Sequence, residues 1–580
     1  MGYRSDCQRR RRYGMLRVLN RTRWPSVALL TVLSAVAGVG CAGTVEQGGQ
    51  TGGGTGKPKV ERLVIALIPP AAESNNPWRA LDPRSPWFFA TTHESLLGAD
   101  PDKGDLIPQL ATEWRFEPDG SSVRFKLRQG VPFHQEKGTL TAKDIIATHA
   151  QHIHAESTHT HRTQYEKVKI EVVNDHEIVL RSDSPNPELL PILSARNVTS
   201  MEPFSADDMA SLGGNPDLTQ RPPVGTGFYE FVSRSQGVNF IVKRVPYQHW
   251  RAMPDFAEME FRWIREASTL QAGLLAGEVH MAQLSRDLQG QSVTRGMKIA
   301  TAKVATRERS LLTEAVVLDK NYIQYQAQGT PCGYAHCDTP LLNVKVRRAL
   351  SKAIDRKPLN DAFYGGRAVE VHNPHLIPGA VYWNPDWDKN FQQEYGYDPA
   401  AARALLAEAG YTAAQPVTIK IRATPQSGVP EAVEMTEAIA GFWRAVGVDV
   451  VLDLTDSAIL NAQGRNFASE SKNRLNWQTS NIIETQAFRV HNYSLESPRG
   501  GFESLELDQA VKAQRSTVDP DKALQLLRQV GDLAYRQHVA LPLFWAPDDI
   551  TYNPKIVESY IWSGVPLGTL SHFERIKAVK

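Results

Sequence analysis

The residues best suited to chemistry gather in one short tract. THAQHIHAESTHTH carries His149, His152, His154, His159 and His161, and His134 precedes it closely. Imidazole is a common ligand for zinc, nickel and copper, and a His-rich tract can hold metal. His149 and His152 stand one helical turn apart, so a helix running on from Thr141 would let both grip one ion. The same residues suit a polar helix end and loop, and no cysteine or diagnostically spaced carboxylate accompanies them. Metal on His149 and His152 is therefore the weaker reading. Elsewhere the chain has no GxSxG nucleophile elbow, no HExxH zinc helix and no Walker phosphate loop. Its carboxylates are scattered, so neither a catalytic residue nor a cofactor is assigned.

The N-terminal residues place this chemistry outside the cytoplasm. Eight arginines from Arg4 to Arg23 precede Val27 to Gly40, an uncharged run of 14 residues. A membrane-spanning helix needs roughly 20. A basic region, a short apolar core and small residues before a cleavage point describe an export signal over residues 1–40. Gly38-Val39-Gly40-Cys41 resembles the lipobox of bacterial lipoprotein precursors, which usually carry a larger aliphatic residue where Gly38 stands. That resemblance implies lipidation of Cys41, which becomes the new N-terminus. The Gly-rich tract Gly48 to Gly56 buries too little apolar surface to fold, so residues 41–59 read as a flexible tether.

The first 40 residues hold 8 of the 65 basic and 1 of the 63 acidic residues. The remaining 540 carry 57 against 62, a net charge of −5 that offers no electrostatic case for binding nucleic acid. No later apolar run reaches spanning length. In PCGYAHCDTP, Cys332, His336 and Cys337 make three zinc ligands without an evident fourth. Outside the reducing cytosol, two cysteines five apart most simply close a disulfide loop, so Cys332 and Cys337 are expected to pair.

The elements that must position these groups alternate between strand and helix. SSVRFKLRQG puts Val123, Phe125 and Leu127 on one face and Arg124 and Lys126 on the other, as a half-buried strand requires. Residues 167–182 read as a hairpin around Asn174-Asp175, and residues 227–247 as a pair around Ser235-Gln236-Gly237. Helices are expected from Thr141 with a Thr141/Asp144 capping box, from Asn343 to Arg356, and from Asp398 to a stop at Gly410. The class is mixed α/β, and 540 residues suffice for several domains.

Several segments then carry a family likeness. Leu106 to Thr148 runs P-x-LA-x-x-W, DG, LR-x-GV-x-F and TA-x-D; Pro222 to Phe231 reads PPVGTGFYEF. Asn343 to Gly366 contains VRRALSKAIDR, Tyr397 to Tyr411 reads YDPAAARALLAEAGY, and GFWRAVGVDVVLDLTD and VALPLFWAPDDITYNPKI follow. In this order they resemble the extracytoplasmic solute-binding proteins of ABC importers, specifically the large peptide- and nickel-binding family, family 5.

The resemblance implies an α/β, two-lobed periplasmic-binding-protein-like fold of the large type II class, with an extra subdomain in the first lobe. Lobe I would span residues 60–310, with the subdomain at about 80–224; lobe II would span 311–540, and 541–580 would return to lobe I. The chain would cross between lobes near Lys303 to Leu318 and near His538 to Trp545. The implied function is a receptor that captures a peptide-like or related organic solute and delivers it to an ABC permease. It would be a monomer on the outer or periplasmic side of the membrane, held by Cys41.

Peptide binders of the family carry a W-x-x-D segment whose carboxylate pairs with the peptide ammonium. Here RLNWQTSN corresponds: Trp477 matches the aromatic and Ser480 stands at the aspartate position. A hydroxyl cannot balance a buried ammonium, which argues against ordinary free-amine peptides. Arg474 suits a carboxylate or phosphate, and Trp477, Trp87 and Phe88 could stack on an apolar or cyclic solute. The alternatives are a nickel-type metal receptor using the His tract, a hydrolase on the same fold, and a chaperone or adhesin. Gly225 and Gly227 are expected to let two backbones pass closely. Arg347, Arg348, Asp355 and Arg356 are expected to set helix ends and ion pairs.

Overall fold

The computed structural model describes residues 57–580 except 70–72, 77, 79–84, 101–105, 119–120, 160–161, 184–188, 196–199, 214–217, 219–220, 314–333, 335, 375, 377–381, 425–428, 430, 456–472, 479–501, 518 and 562–571. Cys41, Cys332 and Ser480 lie outside the described residues, as does the side chain of Trp87.

One 11-stranded mixed sheet organises the chain. Its order is Asp449–Asp453, Thr418–Arg422, Arg474–Gln478, Lys298–Thr313, Ala540–Tyr552, Met281–Ala282, Arg62–Leu67, Glu258–Trp263, Asn239–Arg244 and Tyr229–Ser235, with Val369–Glu370 also pairing Ala540–Tyr552. RLVIAL is buried at five of its six positions because it is hydrogen-bonded in parallel to strands on both sides. The two long antiparallel strands Lys298–Thr313 and Ala540–Tyr552 belong to both halves of this sheet and overlap the segments where the crossings are expected.

The same strands divide the core. Ile550 and Tyr552 pack with Leu63, Ile65, Phe240, Phe261 and Met281 in the first half. Ala540, Leu541, Leu543, Phe544, Trp545 and Ala546 pack with Leu311, Ile421, Trp443 and Trp477 in the second. Between the two sets the same strand carries buried Asp548 and Asp549.

A third core belongs to a four-stranded antiparallel sheet in the order Ala111–Phe116, Ser122–Leu127, Glu177–Ser182 and Val168–Asn174. Val123 and Phe125 are fully buried there, on the face expected from their alternation. Asn174 pairs with Glu177 at the hairpin end, and Gly237 turns the second hairpin at φ +71°.

Helix Ala142–His152 starts with the expected capping box. Asp398 caps Pro399–Glu408 and Gly410 ends it in the left-handed region. The helix expected from Asn343 to Arg356 is split: Val344–Lys352 ends first, and Asp355 caps a second helix, Arg356–Tyr364. A short polar side chain that can bond the next turn's N–H groups starts a helix more readily than it continues one.

Candidate interlobe site

The register of the sheet places the site. In the second half, Thr418–Arg422 runs parallel to both Asp449–Asp453 and Arg474–Gln478. Gln478 pairs with Ser310 and Leu475 with Thr313, so these strands end towards the lower-numbered part of Lys298–Thr313. In the first half, Arg62–Leu67, Glu258–Trp263 and Met281–Ala282 are parallel, and Met281 pairs with Tyr552 while Ala282 pairs with Thr551. They therefore end towards Asp549. Both sets of parallel strands aim their carboxyl ends at the junction between the halves, where open α/β sheets bind ligands.

On the first-half side, the segment after Arg62–Leu67 supplies Glu73 and Asn75. Arg234 donates to Asn75 Oδ1 at 2.8 Å and lies 3.4 Å from Glu73, both side chains being almost buried. Trp263 Nε1–H donates to Glu73 at 3.1 Å. Burial lowers the Arg234 pKa, with Glu73 opposing. The guanidinium lies 5.0 Å over the Phe88 ring. Phe88 is fully buried among Phe89, Phe240 and Trp263, with centroids 4.7, 4.5 and 5.8 Å away, and supports this wall from within the core.

On the second-half side, Lys420 pairs with Arg474 and Val451, while Ile421 pairs with Leu475 and Leu452. Side chains alternate along a strand, so Arg422, Asp453, Arg474 and Asn476 share one face. Trp477 lies on the other, beneath helix Ala432–Ala445. Its indole N–H donates to Thr436 Oγ1 at 2.9 Å. Arg474 and Trp477, expected together, thus lie on opposite faces because they stand three positions apart, an odd offset.

Arg474 is buried and lies 3.6 Å from Asp453. Arg422 donates to Thr424 at 2.9 Å and to Asn476 at 3.2 Å. Burial disfavours the Asp453 charge, but hydrogen bonds from Thr455 and the charges of Arg474 and Arg422 outweigh it and hold the carboxylate below its usual range. This face gathers guanidinium and amide groups around one ionised carboxylate, with Arg422 and Arg474 both buried.

The other singled-out residues have structural work. His149 Nε2 lies 2.9 Å from the Tyr165 carbonyl and His152 Nδ1 2.7 Å from that of Thr148, so each imidazole is engaged by backbone. His152 and His159 meet edge to face at 4.3 Å. Among the described residues no group of three or more His, Cys, Asp or Glu could hold a metal ion. Cys337 is disulfide-bonded. Among the described residues no helix is long and apolar enough to cross a membrane.

Arg347 donates from Nε to the carbonyls of Gln537 and His538, both at 3.1 Å, beside the end of helix Pro520–Arg536. Arg356 donates to Pro542 O at 2.9 Å, Tyr395 O at 3.0 Å and Ser351 Oγ at 3.0 Å. Arg348 pairs with Glu394 at 2.8 Å. Buried arginines here bind carbonyls, a use that helical spacing does not reveal. The Glu73, Asn75 and Arg234 cluster and the Asp548-Asp549 pair escaped the sequence analysis. The second had a signal, because WAPDDITY interrupts an apolar strand with Pro547 and two acids.

Several known proteins resemble this chain. The family described as bacterial extracellular solute-binding proteins, family 5 Middle, matches residues 105–489. The heme-binding protein A of Haemophilus influenzae is 27% identical over 366 residues, 59% of this chain and 61% of that protein. The dipeptide-binding protein of Escherichia coli is 24% identical over 513 residues, 81% of this chain and 86% of that protein. The solved dipeptide-binding protein of Pseudoalteromonas sp. SM9913, in complex with Met-Leu, superposes with a TM-score of 0.72 at 20% identity. That superposition covers 89% of this chain and 100% of the other, and carries the two-lobed fold.

Proposed function

The chain belongs to the bacterial extracellular solute-binding proteins of family 5, and from that premise we propose that it is the receptor of an ABC importer for an organic, peptide-like solute. The observation that carries this is the convergence of both sets of parallel-strand carboxyl ends on one polar junction. The ligand would lie between the first-half wall of Glu73, Asn75 and Arg234 and the second-half face of Arg422, Arg474 and Asn476. Trp87 and Ser480 remain proposed ligand contacts on the family resemblance alone. Trp477 and Phe88 act from behind, as supports. Dipeptide and heme recognition among its relatives favours an organic ligand, and the serine at position 480 favours one without a free α-ammonium.

Retention beside the permease would come from a lipid on Cys41 and the tether that follows, which together keep the receptor at high local concentration. A hinge between lobes would then expose a closed form for docking. Differential scanning fluorimetry against N-acetylated and free-amine dipeptides tests the ligand class: blocked peptides should raise the midpoint more. A larger rise with free-amine peptides would overturn that preference. Cell fractionation of Cys41→Ala tests the anchor, with release from the membrane fraction expected.

A further inference from the structure

We infer that Arg286 and Arg367 form a reciprocal clasp across the junction that sets the resting angle between the two halves. The inference rests on the receptor reading only for its use, since the contacts stand without it.

The junction is built to bend. Thr301 pairs with Asp549 and Thr306 with Pro547, so residues 302–305 of one crossing strand stand opposite Asp548 alone. Pro547 has no N–H to give the ladder. A local loss of register beside a proline is where a long two-stranded connection can absorb backbone rotation.

Two arginines reach between the halves in opposite directions, one of them at this break. Arg367, which follows helix Arg356–Tyr364 of the second half, donates to Asp549 Oδ2 at 2.6 Å. Asp549 is almost buried and also accepts from Thr301 Oγ1 at 2.7 Å, so its carboxylate joins both crossing strands to the second half. Arg286 opens helix Arg286–Thr294 of the first half, and its guanidinium lies against Gly365. A β-carbon on Gly365 would displace that guanidinium, and the φ of +60° at Gly365 favours glycine there. Gln283 adds a first-half contact to Asp548 at 3.4 Å. Arg367 is about two-fifths exposed, so its contact is strong enough to bias an angle and weak enough to exchange.

Small-angle X-ray scattering of the wild type, Asp549→Asn, Arg367→Ala and the Arg286→Ala/Arg367→Ala double variant reads the clasp without any ligand. The double variant should show a larger maximum dimension and a broader pair-distance distribution, each single variant a smaller change, and Arg367→Lys a curve near wild type. Far-ultraviolet circular dichroism guards against loss of fold, and Asp549→Asn, which keeps side-chain shape, reads the same contact if Arg367→Ala does not fold. Superimposable curves for the wild type, Asp549→Asn and the double variant would overturn the inference. The receptor reading is judged separately, by peptide-induced thermal shifts of the wild type.

Discussion

The backbone of Gly225 runs against the carbonyl of Thr92 so closely that a β-carbon at position 225 would overlap its oxygen. Gly227 meets Thr91 in the same way, and its N–H donates to Thr92 O at 2.9 Å. Between them Thr226 Oγ1 donates to buried Glu94 at 3.0 Å. Gly225→Ala should cost roughly 3 kcal/mol, the upper part of the range for forcing extra atoms into a packed interior. Urea unfolding measures it, and a loss under 1 kcal/mol would show that the segment yields.

Acid should weaken the fold through histidines held neutral. Burial, reinforced by neighbouring His134, lowers His93 to about 3. Burial lowers His152 to about 4, with backbone Thr148 opposing and His149 adding to the shift. The unfolded chain takes up these protons near pH 6.5 while the fold resists them, so their contribution is intact above 6.5 and is lost as pH falls towards 4. The midpoint of thermal unfolding should drop across that window, and His152→Phe should flatten the slope. An unchanged slope would place the acid sensitivity elsewhere.

The two buried arginines of the VRRALSKAIDR helix pair predict a stability effect without a binding effect. Arg356→Ala strips donors from the Pro542 and Tyr395 carbonyls, at about 1–3 kcal/mol for each group left unsatisfied. Chemical denaturation should show a loss of that order. Arg356→Lys should recover only part of it, because an ammonium cannot span the same acceptors.

Trp477 and Arg474 should separate by readout. Trp477→Phe removes the N–H bonded to Thr436, lowering stability by about 1 kcal/mol while leaving the ligand-induced thermal shift in place. Arg474→Gln alters the face opposite and should diminish that shift. The reverse pattern would put the indole in the ligand wall.

Much of the fold was legible because its signals are local. The alternation in SSVRFKLRQG, the capping box at Thr141 and the caps at Asn343 and Asp398 all depend on residues within a few positions, and all occur. The site was less legible. Arg474 and Trp477 look adjacent in RLNWQTSN, yet strand geometry turns them to opposite sides. Arg234 meets Glu73 across 161 positions, and Arg367 meets Asp549 across 182. Such pairs follow from strand order, which a single sequence does not display. The His tract is a dense local pattern, and its imidazoles at 149 and 152 are engaged by backbone carbonyls.

The central claim is that the polar junction holds an organic solute. Native mass spectrometry of the purified protein, followed by denaturation and identification of what is released, tests it most directly. The account predicts a stoichiometric organic small molecule, or, after its removal, one-to-one rebinding of a blocked dipeptide that Arg474→Gln diminishes. A protein that releases nothing and binds no member of a peptide library would contradict it.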